Sequence, residues 1–256
     1  MDKNYVQQYG ELENNHWWFI IRRKIILQTL QNYIPPKEAG KLKILNVGAA
    51  AGGSSKWLAA FGEVISLEND PLFVHYLNGE QIPVINASVT AIPLADNSFD
   101  LVCAFDVIEH VIADQKAVDE LIRVCKPGGT IFITVPAFQS LWGRHDVVNG
   151  HQRRYTKQQL QQLVNSHTAT IQYTTYFNSI LFLPVFLFRK IESIFNKNPK
   201  QGHSDFSYFK TNTFVNKVLQ FVFGLELSLL RSTRLPFGVS LMMLCRKRAV
   251  LKDISQ

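Results

Sequence analysis

The run Lys-Ile-Leu-Asn-Val at residues 43–47, followed by Gly-Ala-Ala-Ala-Gly-Gly-Ser-Ser at 48–55, constrains the fold more than any other feature of this chain. A short apolar run without helical periodicity reads as a buried strand, and small residues then let the backbone turn sharply into a helix over 54–60. The alternation continues with strands at 64–67, 84–85, 99–105 and 130–135. Helices at 71–77 and about 113–124 and a Lys-Pro-Gly-Gly turn at 126–129 lie between them. Parallel strands need crossover connections, and these are right-handed, so the pattern predicts an α/β fold: a doubly wound, mostly parallel sheet with helices on both faces. A helix over 12–34, with Trp17, Ile21, Ile25 and Leu30 at helical spacing, precedes the sheet, and Pro35-Pro36 ends it. After Pro136 come a polar loop, a helix from 157 to about 164, and strands at 169–176 and 239–245, which bring the sheet to seven strands.

Of 256 residues, 46% are hydrophobic and 18% charged, which excludes a disordered chain and fits one large domain or one domain with an insertion. The formal net charge of +7 is unevenly placed. Residues 1–176 are near neutral at −1, whereas 177–237 carry +5 together with 11 of the 18 Phe, and 238–256 carry +3. That break divides the chain into an N-terminal helical cover (1–40), a central sheet domain (41–176), a helical Phe-rich cap inserted between the last two strands (177–237), and a last strand with a basic tail (238–256). Helical patterns recur in the cap at 180–195 and 214–230, around a polar stretch holding Asn198, Pro199 and Gly202. Cys103, Cys125 and Cys245 are far apart and form no CxxC, so neither a disulfide framework nor a zinc site is expected, and a reducing compartment is. The start of the chain lacks a signal-peptide core, and no run approaches the ~20 apolar residues of a spanning helix, so a cytoplasmic protein is expected.

The glycine turn provides a backbone that a ligand can approach closely, and Glu68, after the second strand, can accept hydrogen bonds from a ribose diol. A nicotinamide dehydrogenase would want GxGxxG, whereas this turn reads GxxxGG. Further residues fit another reading: IPLADNSFDLV at 92–102, DVIEHV at 106–111 and RVCKPGG at 123–129. In this order and spacing the set resembles class I S-adenosylmethionine-dependent methyltransferases over roughly 43–136. HWWFIIRR at 16–23 and PFGVSLMMLCRK at 236–247 resemble a bacterial subgroup associated with glycan or cell-envelope pathways.

The resemblance implies S-adenosyl-L-methionine as cofactor. Gly48 and Gly52 would pass its methionine moiety, Glu68 its ribose, Asn69, Asn86 and Ala87 its adenine, and the Phe105 carbonyl its amino group. Asn46 stands where the family usually has an acid at the end of strand one, and Ala50 where it has the middle glycine. Methyl transfer needs in-line positioning and, for a protonated nucleophile, a base. Without an NPPY-like motif, or a Cys after Pro136, an oxygen acceptor is the default. His145 with its neighbour Asp146 is the foremost base candidate, His151 another; Arg153, Arg154 and Tyr155 are candidates for an anionic substrate group, and Trp17 for a cover. Asp106, Glu109 and His110 share one helical face at spacing similar to a metal set of ubiquinone-pathway O-methyltransferases, but no metal is expected. The cap, whose longest apolar run is 180–188, suits an interfacial helix with a basic edge. A small-molecule, glycan or lipid-linked acceptor and an anionic membrane surface are therefore the expected partners, and nucleic acid is not. A weakly catalytic scaffold regulating a partner and an RNA methyltransferase remain as alternatives.

Overall fold

The computed structural model describes residues 3–34, 41–164, 168–195 and 213–249. Helices α1 (Lys3–Asn15) and α2 (Trp17–Tyr33) lead into β1 (Leu42–Val47), α3 (Gly53–Leu58), β2 (Gly62–Glu68), α4 (Pro71–Gly79), β3 (Val84–Asn86) and β4 (Phe99–Phe105). Then follow α5 (Asp114–Val124), β5 (Cys125–Pro136), the one-turn α6 (Arg144–Val148), α7 (Lys157–Gln162) and β6 (Ala169–Phe177). Helices α8 (Phe182–Phe195), α9 (Thr213–Gly224) and α10 (Glu226–Ser232) separate β6 from β7 (Ser240–Lys247). The expected N-terminal helix is two: the chain turns extended at His16, whose Nδ1 accepts from the Trp18 amide and so starts α2. Pro35-Pro36 and the stretch around Asn198, Pro199 and Gly202 lie outside the described residues.

The sheet order is β3-β2-β1-β4-β5-β7-β6. Strands β1 to β5 pair in parallel, and β7 is antiparallel to both β5 and β6, so the sheet is mixed. Since Phe177 pairs with Ser240, the helices after β6 leave and rejoin the sheet at the end where β1, β2, β4 and β5 finish. Alternating side chains build a core on each face. Leu45, Val102, Ile131, Ile133 and Met243 meet α5, and Ile44, Leu101, Phe132, Met242 and Leu244 meet α2, α9 and α10. Trp17, Ile21, Ile25 and Leu30 are all buried, which bears out the periodicity read for α2. Burying each such side chain contributes about 1.5–3 kcal/mol before entropy is counted.

One helical stretch, 213–232, is long and apolar enough to cross a membrane by length and composition, and little of it is buried. This corrects the expectation that no run reaches that length: Leu225 is helical and joins α9 to α10, so two shorter patterns act as one. Its inner side is fixed to the protein. Asn216 accepts from the Trp17 amide at 2.8 Å, Gln28 donates to the Leu227 carbonyl at 2.9 Å, and buried Glu226 accepts from the Ile180 amide at 2.8 Å.

Candidate active site

A cavity of about 790 Å3 lies over the carboxyl ends of the parallel strands, between α1, α2, α8 and the sheet. One end is the glycine turn. Gly48 has φ +68° and its amide donates to the Leu67 carbonyl; a Cβ there would fall 2.4 Å from Val107 Cγ2, so only glycine fits. Gly52, at φ +85°, begins α3. Ala50 adopts the same left-handed region at φ +46°, held by its amide donating to Glu68 Oε2 at 2.8 Å. Glu68 Oε1 accepts from the amides of Asn69 and Asp70. Its carboxylate is therefore fixed at the end of β2, on the cavity wall, with one acceptor site left on Oε2.

Gly48, Ala50, Glu68, Asn69, Ala87 and Phe105 line the cavity, as the resemblance implied, along with Gly53, Ser54 and Ser88. Asn46 does not: it is fully buried and its amide donates to Ser54 and Ser55 at 2.8 Å each. Gly52 and Asn86 also lie off the lining, Asn86 on the surface. Trp17 lines the wall beside Trp18 and packs edge-on against Phe223.

The other end is the loop after β5. Asp146 is wholly buried and accepts from His151 Nδ1 at 2.7 Å, Arg154 Nε at 2.8 Å and the Gly143 amide at 2.8 Å, with Arg189 at 3.6 Å. Burial opposes its charge, but the His151 hydrogen bond and the Arg154 and Arg189 guanidiniums outweigh that and hold the carboxyl well below the usual carboxylate range. The neighbouring His145 is paired with Asn149 instead. The base candidate of the geometry is thus Asp146–His151 rather than His145–Asp146. An ionised Asp146 can only accept, so in the neutral imidazole it keeps the proton on Nδ1 and leaves His151 Nε2 as acceptor.

The arginine pair and tyrosine fare differently from expectation. Arg153 binds Asp114 and the Ile112 carbonyl and is absent from the lining. Arg154 reaches the cavity but is engaged by Asp146 and the Ala137 carbonyl, and Tyr155 is a core residue whose hydroxyl donates to Asp114. These three brace the loop. The D-x-x-E-H residues do not share a helical face. Asp106 follows β4 at φ +57°, and Ile108–His110 is a single 3-10 turn. Asp106 pairs with Arg22 at 2.6 Å, while Glu109 and His110 meet His151, one donor atom of each within 4.8 Å of the others. Such a set has the composition of a cation site, with His151 in the place expected for Asp106. Glu109 is completely buried with neither oxygen hydrogen-bonded among the described residues; desolvation, then Asp106, push its pKa well up. His110 is held neutral, its pKa lowered by burial, then by His151, to about 4.

Glu13, Arg22, Asn178 and Arg189 also stand on the cavity wall, without a site motif in the sequence to mark them. Each is brought there by a helix or strand end distant in sequence, and only Arg22, within the HWWFIIRR run, carried a local signal.

Sheet order, switch-point cavity and glycine cradle define a Rossmann-like domain that binds a nucleotide-containing cofactor at the strand ends. Residues 45–133 match the family model described as methyltransferase domain. An uncharacterized methyltransferase of Mycolicibacterium vanbaalenii is 33% identical over 111 residues, 41% of this chain and 44% of that one. A probable S-adenosylmethionine-dependent methyltransferase of Mycolicibacterium smegmatis is 27% identical over 130 residues, 50% of this chain and 48% of that one. The chain thus spans about half the length of the curated relatives it matches. Among solved structures, a putative sarcosine dimethylglycine methyltransferase from Galdieria sulphuraria superposes with TM-score 0.57 at 19% identity, covering 88% of this chain and 86% of that one, a likeness of fold.

Proposed function

We propose that this protein transfers a methyl group from S-adenosyl-L-methionine to a hydroxyl oxygen of an amphipathic, glycan- or lipid-linked acceptor at the inner face of a membrane. One observation carries the reading: a single cavity joins the Gly48–Glu68 cradle to His151, which buried Asp146 holds from behind, and is also walled by the cap residues Leu181, Val185, Phe188 and Leu219. The cradle fits the cofactor chemically. Gly48 leaves no room for a side chain, and the Glu68 carboxylate is held where a ribose would meet it.

The cofactor, when bound, supplies an electrophilic methyl on sulfur. Glu68 would accept from its ribose hydroxyls and Ala87 and Ser88 would border its adenine, while Phe105 backs the cradle with its ring against Phe132 and Trp57. His151 Nε2 takes the acceptor's hydroxyl proton, and Asp146 fixes the imidazole and favours the cation that results. The apolar cap residues exclude water and suit a greasy acceptor. Outside the cavity, Phe214, Phe221, Leu183, Leu187, Ile191 and Leu229 stand exposed on α8, α9 and α10, with Phe214 at 72% and Phe221 at 70%. With a cap of net +5, such a face suits the surface of an anionic bilayer.

Radiolabelled methyl transfer into fractionated cell-envelope lipids tests the whole reading. Label in an alkali-stable lipid-linked glycan ether supports it. Label in a small soluble amine, or none in any extract from a protein shown to bind the cofactor, defeats it.

A further inference from the structure

We infer that Glu13, on the N-terminal helix α1, provides the carboxylate that meets the positive charge of the cofactor's methionine moiety, in place of the acid that β1 lacks. This rests on the cofactor reading above and names a residue for it outside the matched domain segment.

The first ground is elimination. Asn46 at the end of β1 is neutral, buried and turned onto two serines, so no charge enters from that strand. Four other carboxylates line the cavity, and each is accounted for. Glu68 takes three backbone amides, Asp70 caps α4 through the Leu72 amide, Asp106 pairs with Arg22, and Glu109 lies with His110 and His151 at the other end. Glu13 is left. Its Oε2 accepts from the Gly53 amide at 3.1 Å, and its Oε1 accepts no hydrogen bond among the described residues.

The second ground is position. Glu13 crosses from α1 onto the glycine turn so closely that a Cβ on Gly53 would fall 2.7 Å from Oε2. The second glycine of the Gly52-Gly53 pair thus makes room for this carboxylate. Partly buried on the cavity wall with one hydrogen bond, the group is under-solvated, and a cation beside it would replace the lost hydration.

The charged groups facing it come from two elements. Arg22 of α2 is engaged by Asp106, and Lys56 of α3 by Glu80. His16 lines the same wall but burial holds it neutral, its pKa lowered to about 4. Desolvation therefore prevails over the Gly53 amide, Arg22 and Lys56, and raises the Glu13 pKa to about 7. Binding a cation there must release a proton near neutrality.

Titration calorimetry of the full chain with S-adenosylmethionine and S-adenosylhomocysteine, at pH 6 to 8, tests this on wild type and Glu13→Gln. Gln keeps an acceptor for Gly53, and a thermal melt checks the fold. The variant should bind about tenfold to hundredfold more weakly at pH 8, as expected for loss of a charge-assisted contact. The ratio of the two proteins' affinities, in which the ligand's own titration cancels, should shrink towards pH 6. Equal loss for both ligands assigns Glu13 to the ammonium; loss for S-adenosylmethionine alone assigns it to the sulfonium. Independently of any variant, wild type at pH 7 should release about half a proton on binding, read from buffers of different ionisation enthalpy. Equal affinities at every pH, or no proton release, overturns the assignment while leaving the cofactor reading intact. Failure of wild type to bind either ligand overturns both.

Discussion

Ala50 sits at φ +46° in the middle of the glycine turn, where a Cβ costs about 1–2 kcal/mol that glycine would not incur. Ala50→Gly should raise stability by about 1 kcal/mol net of the extra freedom of the unfolded chain, seen as about 2–4 °C in Tm. An unchanged or lower Tm would show that the Glu68 contact, rather than strain, dominates there. At the other end of the cavity the two members of the proton-accepting pair should separate by readout. His151→Asn should lower kcat by about 10²–10⁴-fold with cofactor affinity within about twofold of wild type. Full turnover in that variant removes His151 from the chemistry. Asp146→Asn leaves the Arg154 guanidinium buried without its anion and should cost about 3–5 kcal/mol in urea denaturation. The sequence marks this loop by its polarity and its place after β5. It does not mark the pairing, because His145 and Asp146 are consecutive on α6 and point about 100° apart, while the chain turn brings His151 back to Asp146. Glu13 was still less visible, since nothing local distinguishes a helical glutamate that touches a turn 40 residues away.

Helix α2 was legible because Trp17, Ile21, Ile25 and Leu30 recur at helical spacing, and the sheet was legible because its parallel strands are short apolar runs set off by turns and helices. The break at His16 was not, since the residues around it are compatible with continued helix and the cap depends on how α1 crosses the turn. The direction of β7 was not either, because no composition encodes whether a strand runs with or against its neighbours. The helices between β6 and β7 divide by face. Phe223, Leu230 and Glu226 face the protein, and Phe214, Val218, Phe221, Leu225 and Leu229 face outward. Glu226→Ala removes the acceptor that fixes Ile180 at the start of α8 and should cost about 1–3 kcal/mol. Phe214→Glu with Phe221→Glu changes only exposed positions, so stability should stay within about 0.5 kcal/mol. Binding to phosphatidylglycerol vesicles should meanwhile fall at least about tenfold, as expected when two apolar anchors are exchanged for charges that an anionic surface repels. Vesicle binding equal to wild type would move the contact elsewhere on the molecule.

For the whole molecule the buried titratable groups set how stability varies with pH, and they act in two opposed sets. His16 and His110 have folded pKa values of about 4 against an ordinary 6.5, so between those values the unfolded chain holds more protons and stability rises with pH. Glu13, Glu109 and Glu226 are all raised above 4.5, chiefly by desolvation, so the folded chain holds more protons and stability falls as pH rises through their folded values. Between 4.5 and 6.5 the sets oppose one another. Above 6.5 the histidines are neutral in both states and only the carboxylates still act, with Glu13 ionising near 7. The cofactor-free protein should therefore lose Tm between pH 6.5 and pH 8, the more so because Glu109 must then either stay protonated or bury a charge with no hydrogen bond. Glu109→Gln should flatten that decline, since the neutral amide has no charged form to disfavour. A saturating cation at Glu13 should oppose it too, so the rise in Tm on adding S-adenosylmethionine should be larger at pH 8 than at pH 6. Scanning fluorimetry at both pH values, with and without the cofactor, reads all of these slopes at once. A Tm that climbs steadily to pH 8 in its absence would mean that the carboxylates are solvated in the folded chain, and that the cavity is more open to water than its walls imply.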